Sequence, residues 1–153
     1  MTDGAVRKTV TVNSSADQAF KVFTEGFDSW WPRSHKIGEA DLKQAVIEGK
    51  EGGRWYEIDI DGNECEWGRV LVWDPPRRLV LAWQLDASWH FDPNLLTEVE
   101  VTFVPEGPDR ARVELEHRNL ERFGEAQEQM RSEFGSEGGW AGLLEGYART
   151  VGA

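Results

Sequence analysis

The beginning of the chain alternates strictly between hydrophobic and polar residues. This two-residue period over positions 6–12 predicts a β-strand. The triplet at 13–15 contains residue types typical of helix N-caps, and apolar residues from Ala16 to Phe23 then recur at helical spacing. We therefore expect a helix of about ten residues. A second short helix is expected around Phe27–Trp31, which Pro32 ends.

The middle of the chain, from Ala45 to Phe103, is a series of strand patterns separated by turn signals. Asp61-Gly62 is the strongest hairpin signal, and Asp74-Pro75-Pro76 marks the next break. Residues 86–94 predict a loop and residues 105–109 a turn. Consecutive short strands with one polar face are typical of an antiparallel sheet. The predicted strands are 54–60, 64–73, 77–85, 98–104 and 111–117.

The last third of the chain changes to a helical period. Apolar residues from Phe123 to Phe134 suit one helical segment, which a glycine-rich stretch at 135–139 breaks. From Trp140 to Val151 the apolar residues follow a helical repeat, and this predicts an amphipathic C-terminal helix. Together with the length of 153 residues, this order predicts a single domain over residues 1–153.

The composition argues against several kinds of partner and of covalent cross-link. The net charge of −11 argues against nucleic acid and anionic membranes as partners, because both attract excess positive charge. The single cysteine, Cys65, excludes an internal disulfide, and no apolar run is long enough for a signal core or a membrane span. We expect a cytoplasmic protein, monomeric or weakly dimeric. The eight tryptophans suit a fold that lines a cavity or fills an uneven core.

Several segments together resemble a known superfamily over nearly the whole chain, from about Val6 to Ala148. They are GGRWYE, EWGRV, WDPPRRLVLAW, TEVEVTFVPEG, ARVELEHRNLERFG and GGWAGLLEGYA. Their order resembles the SRPBCC (START-like) superfamily, and in particular the bacterial branch named after the C-terminal domain of the activator of heat-shock protein 90 ATPase. The resemblance implies an α+β helix-grip fold, in which a curved antiparallel sheet wraps around a long C-terminal helix. It also implies a cavity between sheet and helix.

Three functions follow from the resemblance. The first is a binding protein for an apolar or aromatic small molecule held in the cavity. The second is a co-chaperone-like regulator of a heat-shock protein 90 ATPase, and the third is a cavity-based enzyme of the cyclase or hydrolase type. We favour the first and assign no catalytic residue. No cofactor is expected, and the three histidines have no short spacing that would hold a metal.

The candidate cavity residues are mostly aromatic, and each has a structural alternative. The aromatic side chains could line a pocket or simply fill the core. His117 shares a face with Val113 and Leu115, where an imidazole could contact a ligand, act as a general base or be a core residue bonded to the backbone. The candidates are Trp31, Tyr56, Trp67, Arg69, Trp83, His117, Trp140 and Tyr147.

The hairpin around Asp61-Gly62 also predicts which side chains face each other. A two-residue turn places Glu57 opposite Glu66 and Tyr56 opposite Trp67, on alternate faces. The two glutamates are then either a sheltered acid pair or part of a solvated outer face. We favour the outer face, and a shift of one residue in the turn would reverse the assignment.

The same register places Arg69 and Cys65 on the inner face. Arg69 could bind a ligand carboxylate there, or it could lie at the end of the sheet with its head in water or near Glu137. Cys65 has apolar neighbours, so we expect a buried and unreactive thiol.

Overall fold

A seven-stranded antiparallel sheet curls around the C-terminal helix in the computed structural model, which describes residues 4–152. The strands lie in the order β1-β7-β6-β5-β4-β3-β2, so the first and second strands form the two edges. The bounds are β1 Val6–Val12, β2 Leu42–Ile47, β3 Arg54–Asp59, β4 Glu64–Asp74, β5 Arg78–Trp83, β6 Thr97–Gly107 and β7 Arg110–Arg118.

The helices lie where the sequence pattern changes period. Two short helices follow β1, and the Ser15 hydroxyl caps the first by accepting a hydrogen bond from the Gln18 N–H at 3.2 Å. The predicted α+β helix-grip fold is therefore confirmed. The helices are α1 Ala16–Thr24, α2 Phe27–Trp30, a 3₁₀ helix Leu120–Ala126, α3 Gln127–Gly135 and α4 Trp140–Val151.

The inner face of the sheet is apolar, and the outer face is charged. The inner face is apolar and packs against α1 and α4, where the Tyr147 hydroxyl donates to the Ala19 carbonyl at 2.7 Å. The outer face carries ion pairs, and Arg118 contacts three glutamates on β6 and β7. This division explains the alternation in β6 and β7, because each strand has one buried and one wet side.

The β3–β4 hairpin is one residue longer than the sequence analysis predicts. Asp59 pairs with Asn63 through the Asp59 N–H and the Asn63 carbonyl, so the loop contains three residues. Gly62 closes the loop with a φ of 85°, which a residue with a side chain rarely adopts. Glu57 consequently lies opposite Cys65 instead of Glu66.

A bulge in β4 changes the alternation a second time. Trp55 pairs with Gly68 and Tyr56 with Glu66, so Trp67 is the extra residue on β4. Both Trp67 and Gly68 are buried as a result. A side-chain carbon on Gly68 would lie 1.7 Å from the Ala82 carbonyl oxygen, so only glycine lets β4 and β5 approach this closely.

These two irregularities correct the predicted faces of β3 and β4. The predicted outward orientation of Glu57 is wrong, because Glu57 is fully buried on the inner face. The predicted inward orientation of Tyr56 and Arg69 is also wrong. The Arg54 guanidinium lies 3.9 Å from the centre of the Tyr56 ring, and Arg69 is half-exposed, 3.8 Å from Glu66.

None of the helices in the described residues is long and apolar enough to cross a membrane.

The helical segment predicted from Phe123 to Phe134 is divided in two. A 3₁₀ helix runs to Ala126 and contains Gly124 with a φ of 62°, and α3 follows it.

The close approach at Gly68 leads to a stability prediction. We expect Gly68→Ala to lower the free energy of unfolding by at least about 2 kcal/mol, because the added methyl group must displace the β5 backbone. Gly135→Ala is the matched control, since its added carbon meets nothing within 4 Å. Urea unfolding measures both variants, and equal stability of the two would contradict this account of the bulge.

Candidate functional site

A cleft of about 440 Å³ lies between the sheet, α4 and the loop that follows α2. Four buried tryptophans line it, and each comes from a different element or its flank. Further apolar surface comes from Ile37, Leu85, Phe134 and Leu143. The four tryptophans are Trp31, Trp67, Trp83 and Trp140.

The mouth of the cleft combines polar groups with one exposed aromatic ring. Ser34, His35 and Lys36 contribute from the loop after α2, and Glu133 and Ser136 contribute from the end of α3. His35 Nε2 donates to the Gly138 carbonyl at 2.9 Å, so this contact ties the two sides of the mouth together. The remaining aromatic ring is Trp89, which is 40% exposed.

The backbone that carries Trp89 is held in an uncommon conformation. Trp89 has a φ of 63°, which is rare for a bulky residue. The Asp86 carboxylate stabilises this turn, because it accepts hydrogen bonds from the backbone N–H groups of Ser88 and His90 at 2.9 and 3.0 Å. The Trp89 ring packs edge-on to Trp83, with 6.3 Å between ring centres. The loop thus holds an exposed indole against the cleft wall.

His117 lies behind the cleft wall and is fully buried. Its Nδ1 accepts the Trp140 indole N–H at 3.1 Å, and its Nε2 lies 2.9 Å from the Thr97 hydroxyl. Because an indole nitrogen can only donate, Nδ1 is the acceptor and Nε2 carries the proton. The Thr97 hydroxyl then donates to the Trp83 carbonyl at 3.0 Å.

This network leaves His117 neutral and without a free nitrogen. Burial lowers the pKa of His117 to about 3. The hypothesis of a satisfied core histidine therefore describes its contacts, although the partners, Thr97 and Trp140, bond through their side chains and not through the backbone. His117 positions Trp140 and, through Thr97, the strand that carries Trp83.

Glu57 lies behind another part of the cleft wall and bonds to its tryptophan, Trp67. One of its oxygens accepts the Trp67 indole N–H at 2.9 Å and the Ile37 backbone N–H at 2.7 Å. The other oxygen accepts the Gly38 backbone N–H at 3.1 Å. One carboxylate therefore ties the loop after α2 to the sheet and orients a cleft tryptophan.

Cys65 lies beside this carboxylate and outside the cleft. Burial raises the pKa of the Cys65 thiol, and the neighbouring Glu57 and Asp59 charges raise it further. A thiol of this kind is a poor nucleophile, since the thiolate is the reactive form. Among residues 4–152, no group of three or more His, Cys, Asp or Glu side chains is arranged to hold a metal ion.

The eight candidate residues divide into three groups. The four tryptophans line the cleft, whereas His117 and Tyr147 lie in the core behind it. Burial raises the pKa of the Tyr147 hydroxyl, which bonds to the backbone of α1. Tyr56 and Arg69 lie on the opposite face of the sheet.

Several residues that line the cleft are not among the predicted candidates. Trp89 lies in a predicted loop without periodicity, where only its aromatic character could have drawn notice. Leu143 and Phe134 fall on predicted apolar helix faces, a pattern that cannot separate cleft residues from core residues. The structural role of Glu57 was missed because the predicted register turned it outward.

A protein-family model matches most of the chain. The family model described as activator of Hsp90 ATPase homolog 1-like protein matches residues 13–152. None of the curated protein sequences compared with the chain matches it.

Solved structures give two similar proteins over almost the full chain. The anthrahydroquino-γ-pyrone synthase Txn09, complexed with SUM, is 39% identical, with 96% of each chain covered and a TM-score of 0.68. The self-sacrificing resistance protein CalC from Micromonospora echinospora is 35% identical, with 99% of this chain and 97% of that chain covered and a TM-score of 0.70. A Thalictrum norcoclaurine synthase, 14% identical over 96% of this chain and 92% of that chain, shares the fold with a TM-score of 0.59.

The buried histidine predicts a specific pH dependence of stability. His117 protonates in the unfolded chain near its ordinary pKa of 6.5, but in the folded protein only near 3. The unfolding free energy that comes from a neutral His117 is therefore fully present above about pH 6.5. It is lost as the pH falls from about 6.5 toward about 3. Between about pH 7 and about pH 5 we expect the wild type to lose about 2 kcal/mol more unfolding free energy than His117→Gln. Chemical denaturation at both pH values measures the difference, and parallel losses would contradict a buried neutral histidine.

The buried carboxylate gives a second prediction. Glu57→Gln should lower the unfolding free energy by about 2 kcal/mol, because the amide keeps one acceptor oxygen and turns an NH₂ group toward an N–H donor. Glu64→Gln is the control on the exposed face, with an expected loss below about 0.5 kcal/mol. Thermal and urea unfolding compare the two, and a Glu57→Gln protein as stable as the control would refute the anchoring role.

Proposed function

The chain belongs to the activator of Hsp90 ATPase homolog 1-like family, within the SRPBCC (START-like) superfamily, and we propose that it binds a planar, fused-ring aromatic small molecule in the tryptophan cleft. The family and its structural neighbours support a ligand-binding protein in general. The observation that carries the finer proposal is the set of four buried indoles that walls one cleft.

The size and the lining of the cleft favour this class of ligand. A volume of about 440 Å³ lies in the range of small-molecule sites. The four indoles contact each other mainly edge to face, for example Trp83 and Trp140 at 5.8 Å between ring centres. Such rings offer both faces and edges to an aromatic guest, and this geometry adds attraction beyond apolar burial.

Trp89 supports the proposal from the mouth of the cleft. A large apolar side chain at the surface loses the stabilisation that burial would give it, and its left-handed backbone is strained. Strain of this kind is common at ligand-binding positions. A flat ligand in the cleft would cover this exposed ring.

The name of one similar protein supports the same ligand class. One is a synthase named for an anthrahydroquino-γ-pyrone, which by its name is a fused-ring aromatic compound. The other is named a self-sacrificing resistance protein, and this name states no ligand class. We extend to this chain only the ability to hold an aromatic small molecule.

Binding without turnover is favoured over catalysis by the state of the buried polar groups. His117 and Glu57, which bond to the cleft tryptophans Trp140 and Trp67, both have their hydrogen-bonding atoms occupied by protein partners. The relation to an Hsp90 ATPase exists at the level of the family name, and the cleft offers a more specific basis for function.

Titration calorimetry with anthraquinone-2-sulfonate, a flat three-ring probe, tests the proposal. We expect saturable binding to one site, and Trp89→Ala should weaken it about five-fold or more, because the ligand loses one aromatic contact. Phe91→Ala is the matched control, since Phe91 is also exposed in this loop but does not line the cleft. Thermal unfolding verifies that both variants keep the fold.

Each outcome of this titration has a defined meaning. Binding that Trp89→Ala weakens and Phe91→Ala leaves unchanged supports the cleft as the site. Absence of binding to any three-ring probe, or equal effects of the two variants, would overturn the proposal. A change of the probe absorbance with time would favour the enzyme alternative over simple binding.

A further inference from the structure

We propose that the mouth of the cleft also carries a catalytic activity, the hydrolysis of an aromatic ester with Ser34 as the nucleophile and His35 as the general base. The aromatic ring of the ester would lie in the tryptophan cleft, so the choice of substrate rests on the proposed function. The chemistry belongs to the mouth and does not involve the buried groups His117 and Glu57.

His35 is the histidine with access to the cleft. The chain has three histidines, and of these His35 alone lines the cleft. His117 is fully buried with both ring nitrogens bonded, and His90 lies in the 86–94 loop without lining the cleft. Since histidine is the most frequent general base in enzymes, an accessible imidazole at a binding cleft is a candidate for this role.

The contacts of His35 determine which ring nitrogen is the base. Its Nε2 lies 2.9 Å from the Gly138 carbonyl oxygen, which can only accept a hydrogen bond. Nε2 therefore carries the proton, and Nδ1 is the acceptor. The Ser34 Oγ lies 3.2 Å from Nδ1, so the Ser34 hydroxyl donates its proton to the free nitrogen.

Ser34, His35 and the Gly138 carbonyl thus form a nucleophile, a base and a group that orients the base. This series of contacts is the signature of an activated hydroxyl. Ser34 and His35 both line the cleft, and Ser34 is an exposed residue. The pair is therefore open to a substrate and to the water that hydrolysis requires.

Two further contacts fix the base relative to the cleft wall. The His35 backbone carbonyl accepts the Trp31 indole N–H at 2.8 Å, and the two rings pack edge to face with centres 5.9 Å apart. Trp31 is one of the buried tryptophans of the cleft. A ring that lies against Trp31 is thus held beside the Ser34–His35 pair, and such positioning raises the rate of attack.

The start of α4 lies on the same side of the mouth as the Gly138 carbonyl. The N-cap residue, Gly139, offers no side-chain hydrogen bond, and both Gly139 and Trp140 line the cleft. Backbone N–H groups at a helix N-terminus favour negative charge. They would stabilise the oxyanion that develops on the ester oxygen during attack.

The reaction has two steps, with water as the second substrate. In the first, Ser34 Oγ bonds to the ester carbonyl carbon and His35 Nδ1 takes the hydroxyl proton. The bond to the aryl oxygen then breaks, and the imidazolium gives that proton to the leaving oxygen, which departs as a phenol. In the second, water attacks the acyl-Ser34 ester while His35 takes a water proton. The proton returns to Ser34 Oγ as the carboxylic acid leaves.

The substrate 4-methylumbelliferyl acetate, a flat two-ring ester that releases a fluorescent phenol, tests the inference. We expect a burst of fluorescence followed by a slower steady rate. Ser34→Ala and His35→Gln should each lower kcat/KM about ten-fold or more. Ser132→Ala and His90→Gln are the matched controls, because both residues are exposed and neither lines the cleft. Thermal unfolding verifies that all four variants keep the fold.

Mass spectrometry of protein quenched in acid during the burst gives a second readout. We expect a single added acetyl group, which peptide mapping locates on Ser34 and which is absent from Ser34→Ala. Acetylation only at other residues would overturn the inference. Equal rates of hydrolysis by the wild type and by Ser34→Ala would also overturn it.

Anthraquinone-2-sulfonate separates this inference from the proposed function. Competitive inhibition of ester hydrolysis by this probe supports both. Saturable binding of the probe without hydrolysis of the ester overturns the inference and leaves the proposed function standing. Acetylation of Ser34 without any binding of the probe overturns the proposed function and leaves the hydrolytic pair standing.

Discussion

Each buried tryptophan brings an N–H donor into an interior with few acceptors. The architecture of this protein depends on which acceptors bond to these donors. Three indoles of the cleft wall are paired with acceptors from other elements, namely a loop carbonyl, a glutamate and a histidine. Each pairing fixes a ring and also ties two segments together. The cleft is therefore rigid where its donors are paired.

Two polar side chains carry most of this organisation from behind the wall. Glu57 joins the loop after α2 to the sheet through three N–H donors, and His117 joins α4 to β6 and β7. Neither side chain lines the cleft. Their role is positional, because buried polar groups with all partners in place specify a single arrangement of the rings around them.

The loop that begins at Asp86 adds a different kind of element at the mouth of the cleft. The Asp86 carboxylate holds a turn in which Trp89 adopts a left-handed backbone and stays exposed. The buried walls are thus preorganised by long-range contacts, whereas the mouth is preorganised by one local side-chain contact. Preorganisation lowers the entropy that is lost when a ligand binds.

Hydrophobic period, a local property of the sequence, predicts the order of most strands and helices, and the resemblance to the superfamily implies the helix-grip fold and the cavity. The tertiary structure alone decided which rings share the cleft. A three-residue loop closed by Gly62 and the bulge at Trp67 each shift the alternation by one residue, and this turns Glu57 inward and Tyr56 and Arg69 outward. The pairing of Trp140 with His117 and that of Trp67 with Glu57 depend on contacts between distant segments, which no local pattern encodes.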